Sequence, residues 1–166
     1  MLTQSVERLL PYSRARLFDL AADVERYPEF LRWWISARIR RRQTDVYYTD
    51  QVVAFGPIRV GFCSKTILSR PASIEVVSDE PPFRRFHLCW VFRSYPGGGC
   101  RVSLTTSLEF RSSLLDRLAY WVLPASIDEI ILGFEARAHE LFADAAGSIE
   151  GGRPRRGPIP QASSRR

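Results

Sequence analysis

Two histidines and three cysteines are the first residues to test for chemistry in this 166-residue chain. His87 and His139 lie far apart, and Cys63, Cys89 and Cys100 show no CxxC spacing. Neither set has the spacing of a metal site, and an odd number of cysteines argues against a disulfide framework. His139 follows Glu135 by four residues, the spacing of a solvated pair on the wet side of a helix. His87 shares the outward parity of Arg85 and Arg93. No carboxylate pair stands at a readable spacing for acid–base work, and Asp50 and Glu109 fall on outward parities. There is no nucleophile elbow and no phosphate-binding glycine loop. These residues predict a protein that is not an enzyme and holds no metal and no cofactor.

Other residues have the chemistry of binding. Tyr47, Thr49 and Gln51 share a parity with Val53 and Phe55, and Ser64 and Thr66 share one with Phe62. In a half-buried sheet such residues either present hydrogen-bond donors to an enclosed ligand or sit at its rim. Val52 and Ala54 on the opposite parity leave the first strand ambiguous. Tyr27 to Trp34 is rich in aromatic residues and reads as a rigid turn or as a gate that touches a bilayer, since Trp and Tyr favour the interface. Arg38, Arg40, Arg41 and Arg42 form a basic cluster that either guards a strand edge or meets phosphate groups of a membrane or of RNA.

The elements that must position these residues follow from periodicity. Leu2 to Leu10 is a strand ended by Pro11, and Ser13 caps a helix over Ala15 to Ala22. Asp23 caps a second short helix, limited by Tyr27-Pro28. Trp33 to Gln43 alternates, with Trp33, Ile35, Ala37 and Ile39 on the apolar face. Strands over Val46 to Phe55 and Ile58 to Ser69 flank a Gly56-Pro57 turn. Further strands cover Ser73 to Ser78, Phe86 to Ser94 and Arg101 to Phe110. In the last, Val102, Leu104, Leu108 and Phe110 share one face with Thr106, the single polar residue among them. Leu114, Leu118 and Trp121 then have helical spacing, and Pro124 must kink or interrupt that segment. From Ser126 a stripe of Ile127, Ile130, Ile131, Phe134, Ala138, Leu141 and Phe142 marks a long amphipathic helix. An antiparallel meander apolar on one face needs a cover, and only this helix can supply it. The expected fold is therefore α+β, a curved antiparallel sheet wrapped around a long C-terminal helix, with room for an apolar cavity.

Composition sets the outer limits. The chain is 45% hydrophobic and 25% charged, which fits one globular domain and excludes wholesale disorder. No run of 18 apolar residues is present, and the N-terminus has no basic segment followed by an apolar stretch. The expectation is a chain that stays in the cytoplasm, peripheral at most to the inner face of the membrane. The net charge of +6 is unevenly placed: Gly151 to Arg166 holds five arginines and no acid, and residues 1–150 hold 19 basic and 18 acidic residues. A nearly neutral domain over residues 1–147 is expected, followed by a flexible basic tail over 148–166.

Four motifs carry a family resemblance: Asp23-Val24-Glu25-Arg26-Tyr27-Pro28-Glu29-Phe30; Pro82-Phe83 with Trp90-Val91-Phe92; Cys100-Arg101-Val102 leading into Leu108-Glu109-Phe110-Arg111-Ser112; and Phe134-Glu135-Ala136-Arg137-Ala138. Together, from about Val6 to Phe142, the chain resembles the coenzyme Q-binding and RatA branch of the START-like (polyketide cyclase/dehydrase) superfamily. It departs from the pattern at Arg32, where a proline usually precedes Trp33, and at Pro81, where a glycine usually precedes Pro82-Phe83.

The resemblance implies a helix-grip fold with a hydrophobic cavity. Members similar to this chain bind ubiquinone and support respiration, whereas those called RatA block association of ribosomal subunits. The aromatase/cyclases of the wider superfamily are a third possibility. Under the first reading, Phe30, Trp33, Ile35, Phe62, Trp90, Phe92, Val102, Leu104, Leu108, Ile127, Ile131 and Phe134 line the cavity. Tyr47, Thr49 and Gln51 would then meet the ring of ubiquinone or of a similar prenylated quinone. Arg38, Arg40 and Arg42 offer a basic surface to a membrane or to the large ribosomal subunit. DNA is not an expected partner.

Overall fold

The alternating segments pair into one antiparallel sheet in the computed structural model, which describes residues 1–55 and 58–146. In chain order the elements are β1 (Leu2–Leu10), α1 (Arg14–Ala22), a 3-10 turn (Val24–Arg26), α2 (Tyr27–Phe30), β2 (Trp34–Arg42), β3 (Val46–Phe55), β4 (Ile58–Ser69), β5 (Ser73–Ser78), β6 (Phe83–Tyr95), β7 (Gly99–Phe110) and α3 (Ser113–Ala146). The sheet order is β1-β7-β6-β5-β4-β3-β2, so β2 to β7 form a meander and β1 returns to pair with β7. The β6–β7 turn depends on Gly97 and Gly98, whose φ angles of 89° and 86° disfavour any side chain.

The core lies between the sheet's inner face and α3. Trp90, Phe92, Val102 and Leu104 meet Ile131 and Phe134 there, and none is more than 1% exposed. The rings of Trp90 and Phe134 lie 4.8 Å apart. Helix α1 closes one end, with Phe18 edge-on to Phe92 at 5.7 Å. Its N-terminus is capped as expected, Ser13 Oγ accepting from the Arg16 N–H at 3.4 Å.

Four local expectations need correction. Asp23 precedes the 3-10 turn without a side-chain cap bond. Tyr27-Pro28 opens α2 rather than limiting the preceding turn, because a proline in the first helical turn forfeits no hydrogen bond. In β2, bulges between Trp34 and Ser36 and between Ile39 and Arg41 shift the alternation. Trp34 is therefore buried and Ile35, placed inward by simple parity, is 43% exposed. Helix α3 runs unbroken through Pro124. Its second half carries the buried stripe, but Leu141 is 44% exposed, and in its first half Leu114, Leu118 and Trp121 are also exposed. The 148–166 tail and the Gly56-Pro57 turn lie outside the described residues.

Candidate functional site

Three small, mainly apolar voids lie along the sheet's inner face, the first two beneath the first half of α3 and the third beneath α1 and α2. The outermost, about 30 Å³, lies between Ile58, Val60 and Phe110 of the sheet and Leu115, Leu118 and Val122 of the helix. The middle one, about 40 Å³, is bounded by Trp33, Val53, Phe62 and Thr106 and by Ser126, Ile127 and Ile130. The innermost, about 20 Å³, lies among Tyr27, Tyr47, Gln51, Thr66, Ile74 and Trp90. Leu108 and Leu123 line both of the first two, and Trp34, Phe86 and Leu88 line both of the last two. Neighbouring voids are thus separated by side chains that they share as walls. No Asp, Glu, His, Lys or Arg lines any of the three.

The polar groups at the inner end are engaged with the protein itself. Trp34 Nε1 donates to Gln51 Oε1 at 2.7 Å, and Gln51 Nε2 donates to Ser64 Oγ at 2.7 Å. Tyr47 Oη donates to the Ala22 carbonyl at 2.9 Å, and Tyr27 Oη to the Ala21 carbonyl at 2.5 Å. Burial pushes the Tyr47 phenol up to about 12 and raises Tyr27 well above the usual tyrosine value. Both stay protonated; Tyr47 braces β3 against α1, and Tyr27 braces α2 against α1. The inward parity of Tyr47, Thr49, Gln51, Ser64 and Thr66 holds, since all are buried. Two buried hydroxyls, Thr49 Oγ1 and Thr106 Oγ1, make no hydrogen bond.

The residues expected to line a cavity divide into three groups. Trp33, Phe62, Leu108 and Ile127 border the middle void and Trp90 the inner one. Phe92, Val102, Leu104, Ile131 and Phe134 are buried core that borders none of the three. Ile35 faces outward, and Phe30 borders an open surface depression with Arg16, Asp23 and Arg137. The aromatic segment is no free gate: Tyr27, Leu31 and Trp34 are buried, and Trp33 Nε1 donates to Glu129 of α3. The basic cluster is also largely engaged, Arg40 pairing with Asp50 while Arg41 and Arg42 lie over the rings of Tyr48 and Tyr47. Arg38 remains exposed.

The groups examined for catalysis stand apart from this space. Cys63 on the outer face donates to Asp50 Oδ1 at 2.9 Å, and that contact, with desolvation, pushes its thiol up to about 11. A thiol held protonated is a poor nucleophile. His87 lies 2.7 Å from Glu75 on the outer face. His139 meets Glu135 at 3.7 Å as its spacing predicts, and also Tyr12 Oη at 2.6 Å, a partner that no local spacing reveals. Glu109 is occupied by Arg84 at 2.8 Å. All three cysteines are free, and the described residues contain no metal-ligand cluster.

The element order and the meander closed by β1 have counterparts among known proteins. The family model described as polyketide cyclase / dehydrase and lipid transport matches residues 10–135. The chain belongs to this family. One relative within it is the ribosome association toxin RatA of Pseudomonas aeruginosa, 28% identical over 81% of this chain and 93% of its own length. Another is the mitochondrial coenzyme Q-binding protein coq10 of Schizosaccharomyces pombe, 28% identical over 79% of this chain and 83% of its own. Among solved structures of START-like shape, the 18 kDa protein of Caulobacter crescentus is 30% identical, with a TM-score of 0.72 over 86% of this chain and 99% of that one. The relatives that this chain resembles thus include both a ribosome-directed and a quinone-directed name.

Proposed function

We propose that this chain is a non-catalytic lipid-binding protein that takes ubiquinone, or a prenylated precursor of it, between α3 and the sheet and supports respiratory electron transport. The observation that carries this reading is the row of three apolar voids with shared walls and no ionisable lining except two protonated tyrosines. A flat ring with an isoprenoid tail suits such a space, each buried CH₂ contributing about 0.8 kcal/mol. The same lining lacks the carboxylates and imidazoles that an aromatase or cyclase would use there.

The voids as they stand are too small, since an apolar cavity needs about 150 Å³ to take up benzene. Entry requires the first half of α3 to lift. Pro124 removes one helical hydrogen bond, and Ser126 Oγ bonds back to the Val122 carbonyl at 2.9 Å, both marks of a bend point. Beyond this point Leu114, Leu118, Tyr120 and Trp121 are exposed, Trp121 by 81%. Arg117 lies among them, and neither Arg117 nor Arg59, beside the outermost void's Ile58, makes an ion pair among the described residues. An apolar strip with Trp, Tyr and unpaired arginine fits the interface of an anionic bilayer, from which the lipid would enter. On this reading the protein works at the inner face of the cytoplasmic membrane.

The second reading is a toxin that binds the large ribosomal subunit, favoured by the name of the Pseudomonas relative and by exposed Arg38. Organic extraction of the protein purified from its native host separates the two. Stoichiometric polyprenyl quinone supports the lipid role. An empty extract together with cosedimentation with the large subunit establishes the other.

A further inference from the structure

Thr106 interrupts an otherwise apolar face. Its neighbours along the inner side of β7, Val102, Leu104, Leu108 and Phe110, are buried hydrocarbon, and Thr106 itself is 3% exposed. Its hydroxyl has no partner, although an unbonded buried hydroxyl destabilises a fold and valine would fill the same shape without that cost. Thr106 is one of the residues around the middle void, to which it turns its methyl side, and Ser126 of α3 lines the same void from the helix side. The hydrogen of Ser126 is committed to the Val122 carbonyl, so Thr106 is left with the free donor. The other unbonded hydroxyl, Thr49, borders none of the three voids. Gln51, the more obvious donor, is held by Trp34 and Ser64.

We propose that Thr106 donates its hydroxyl hydrogen to a carbonyl oxygen of the bound ligand. This inference rests on the lipid-binding reading and names its polar contact. The ring then occupies the enlarged middle void. The tail runs outward past Leu123 and Leu118, because the inner end is closed by the braced Tyr27 and Tyr47 hydroxyls. Ligands of this class have a carbonyl on a flat ring and a hydrocarbon tail on the same ring.

The test uses the full chain and two probes: ubiquinone with a two-isoprene tail, and an isoprenoid hydrocarbon of matching length without oxygen. Thr106→Val should weaken ubiquinone binding by about tenfold and leave the hydrocarbon unchanged. Thr106→Ser should restore most of the loss. The thermal midpoint of Thr106→Val should equal or exceed that of the wild type, since an unbonded hydroxyl has been removed. Equal ubiquinone affinity in wild type and Thr106→Val overturns the assignment, and so does an equal loss for both probes, which would mark a packing role. A wild-type chain that binds no ubiquinone overturns the lipid reading itself and this assignment with it.

Discussion

Trp34 and Gln51 are joined by a 2.7 Å hydrogen bond from the indole N–H to the amide oxygen, across the β2–β3 pair. The bond fixes the amide so that its NH₂ group meets Ser64 Oγ on β4. Three strands are thereby tied through one buried side chain that is 4% exposed. Gln51 is a structural clamp, its amide oxygen and one N–H taken up by Trp34 and Ser64.

Gln51→Leu should therefore show its effect on stability. It leaves the Trp34 N–H without its acceptor and the Ser64 hydroxyl without its donor. The expected loss is about 2 kcal/mol, because each buried polar group left unpaired costs about 1–3 kcal/mol before relaxation. Urea unfolding measures it directly. An unchanged midpoint would mean that the clamp carries no weight.

The two halves of α3 should respond differently to truncation. Ile131 is fully buried against the sheet, so Ile131→Ala should cost about 3 kcal/mol. Leu114, 73% exposed, should cost less than about 0.5 kcal/mol as Leu114→Ala. Comparable losses at both positions would show that the first half of the helix is held as firmly as the second, which opposes its lifting.

The exposed strip gives a membrane prediction. Trp121→Ser combined with Leu114→Ser should reduce cosedimentation with phosphatidylglycerol-rich vesicles several-fold while far-UV dichroism stays the same, since both side chains are exposed and neither lines a void. Binding of the wild type should fall with added salt if Arg117 and Arg59 contribute. Undiminished vesicle binding by the double variant would remove the strip as the docking surface.

Alkaline pH should report on the buried tyrosines. The Tyr47 phenol is raised to about 12 in the folded chain against about 10 when exposed. Below pH 10 both states keep the proton and stability is unaffected by this group. Between about pH 10 and 12 the unfolded chain releases it first, so stability falls as pH rises. Tyr27 acts in the same direction. Tyr47→Phe should be less stable at pH 8, having lost the bond to the Ala22 carbonyl, yet lose less on going from pH 9.5 to 11. Parallel declines in the two proteins would contradict this account.

Most of the architecture was determined by the sequence itself. Period-two alternation marks the strands, and the bounds expected for β1, β3, β4 and β5 coincide with those observed. The stripe from Ile127 marks the helix that covers them, and four ordered motifs name the family that the comparisons bear out. Alternation also put Tyr47, Thr49 and Gln51 on one face of β3, because a strand's parity is a local property, but with Val52 and Ala54 opposite it left open which face turns inward.

Only the tertiary structure decided how those inward residues are used. Two bulges in β2 turned Trp34 inward and Ile35 outward, and a bulge depends on the partner strand as much as on its own residues. Gln51 became a clamp because Trp34 and Ser64 arrive from neighbouring strands. The basic cluster was taken up by Asp50, Tyr48 and Tyr47 on β3. Leu114, Leu118 and Trp121 have helical spacing like the core stripe, yet they stay exposed, since periodicity reports that a helix has an apolar side and not whether anything lies against it. Thr106 was visible as a polar break in an apolar face. That its hydroxyl is unbonded and that the residue borders a void follow from β7 and α3 meeting there, which local pattern does not encode.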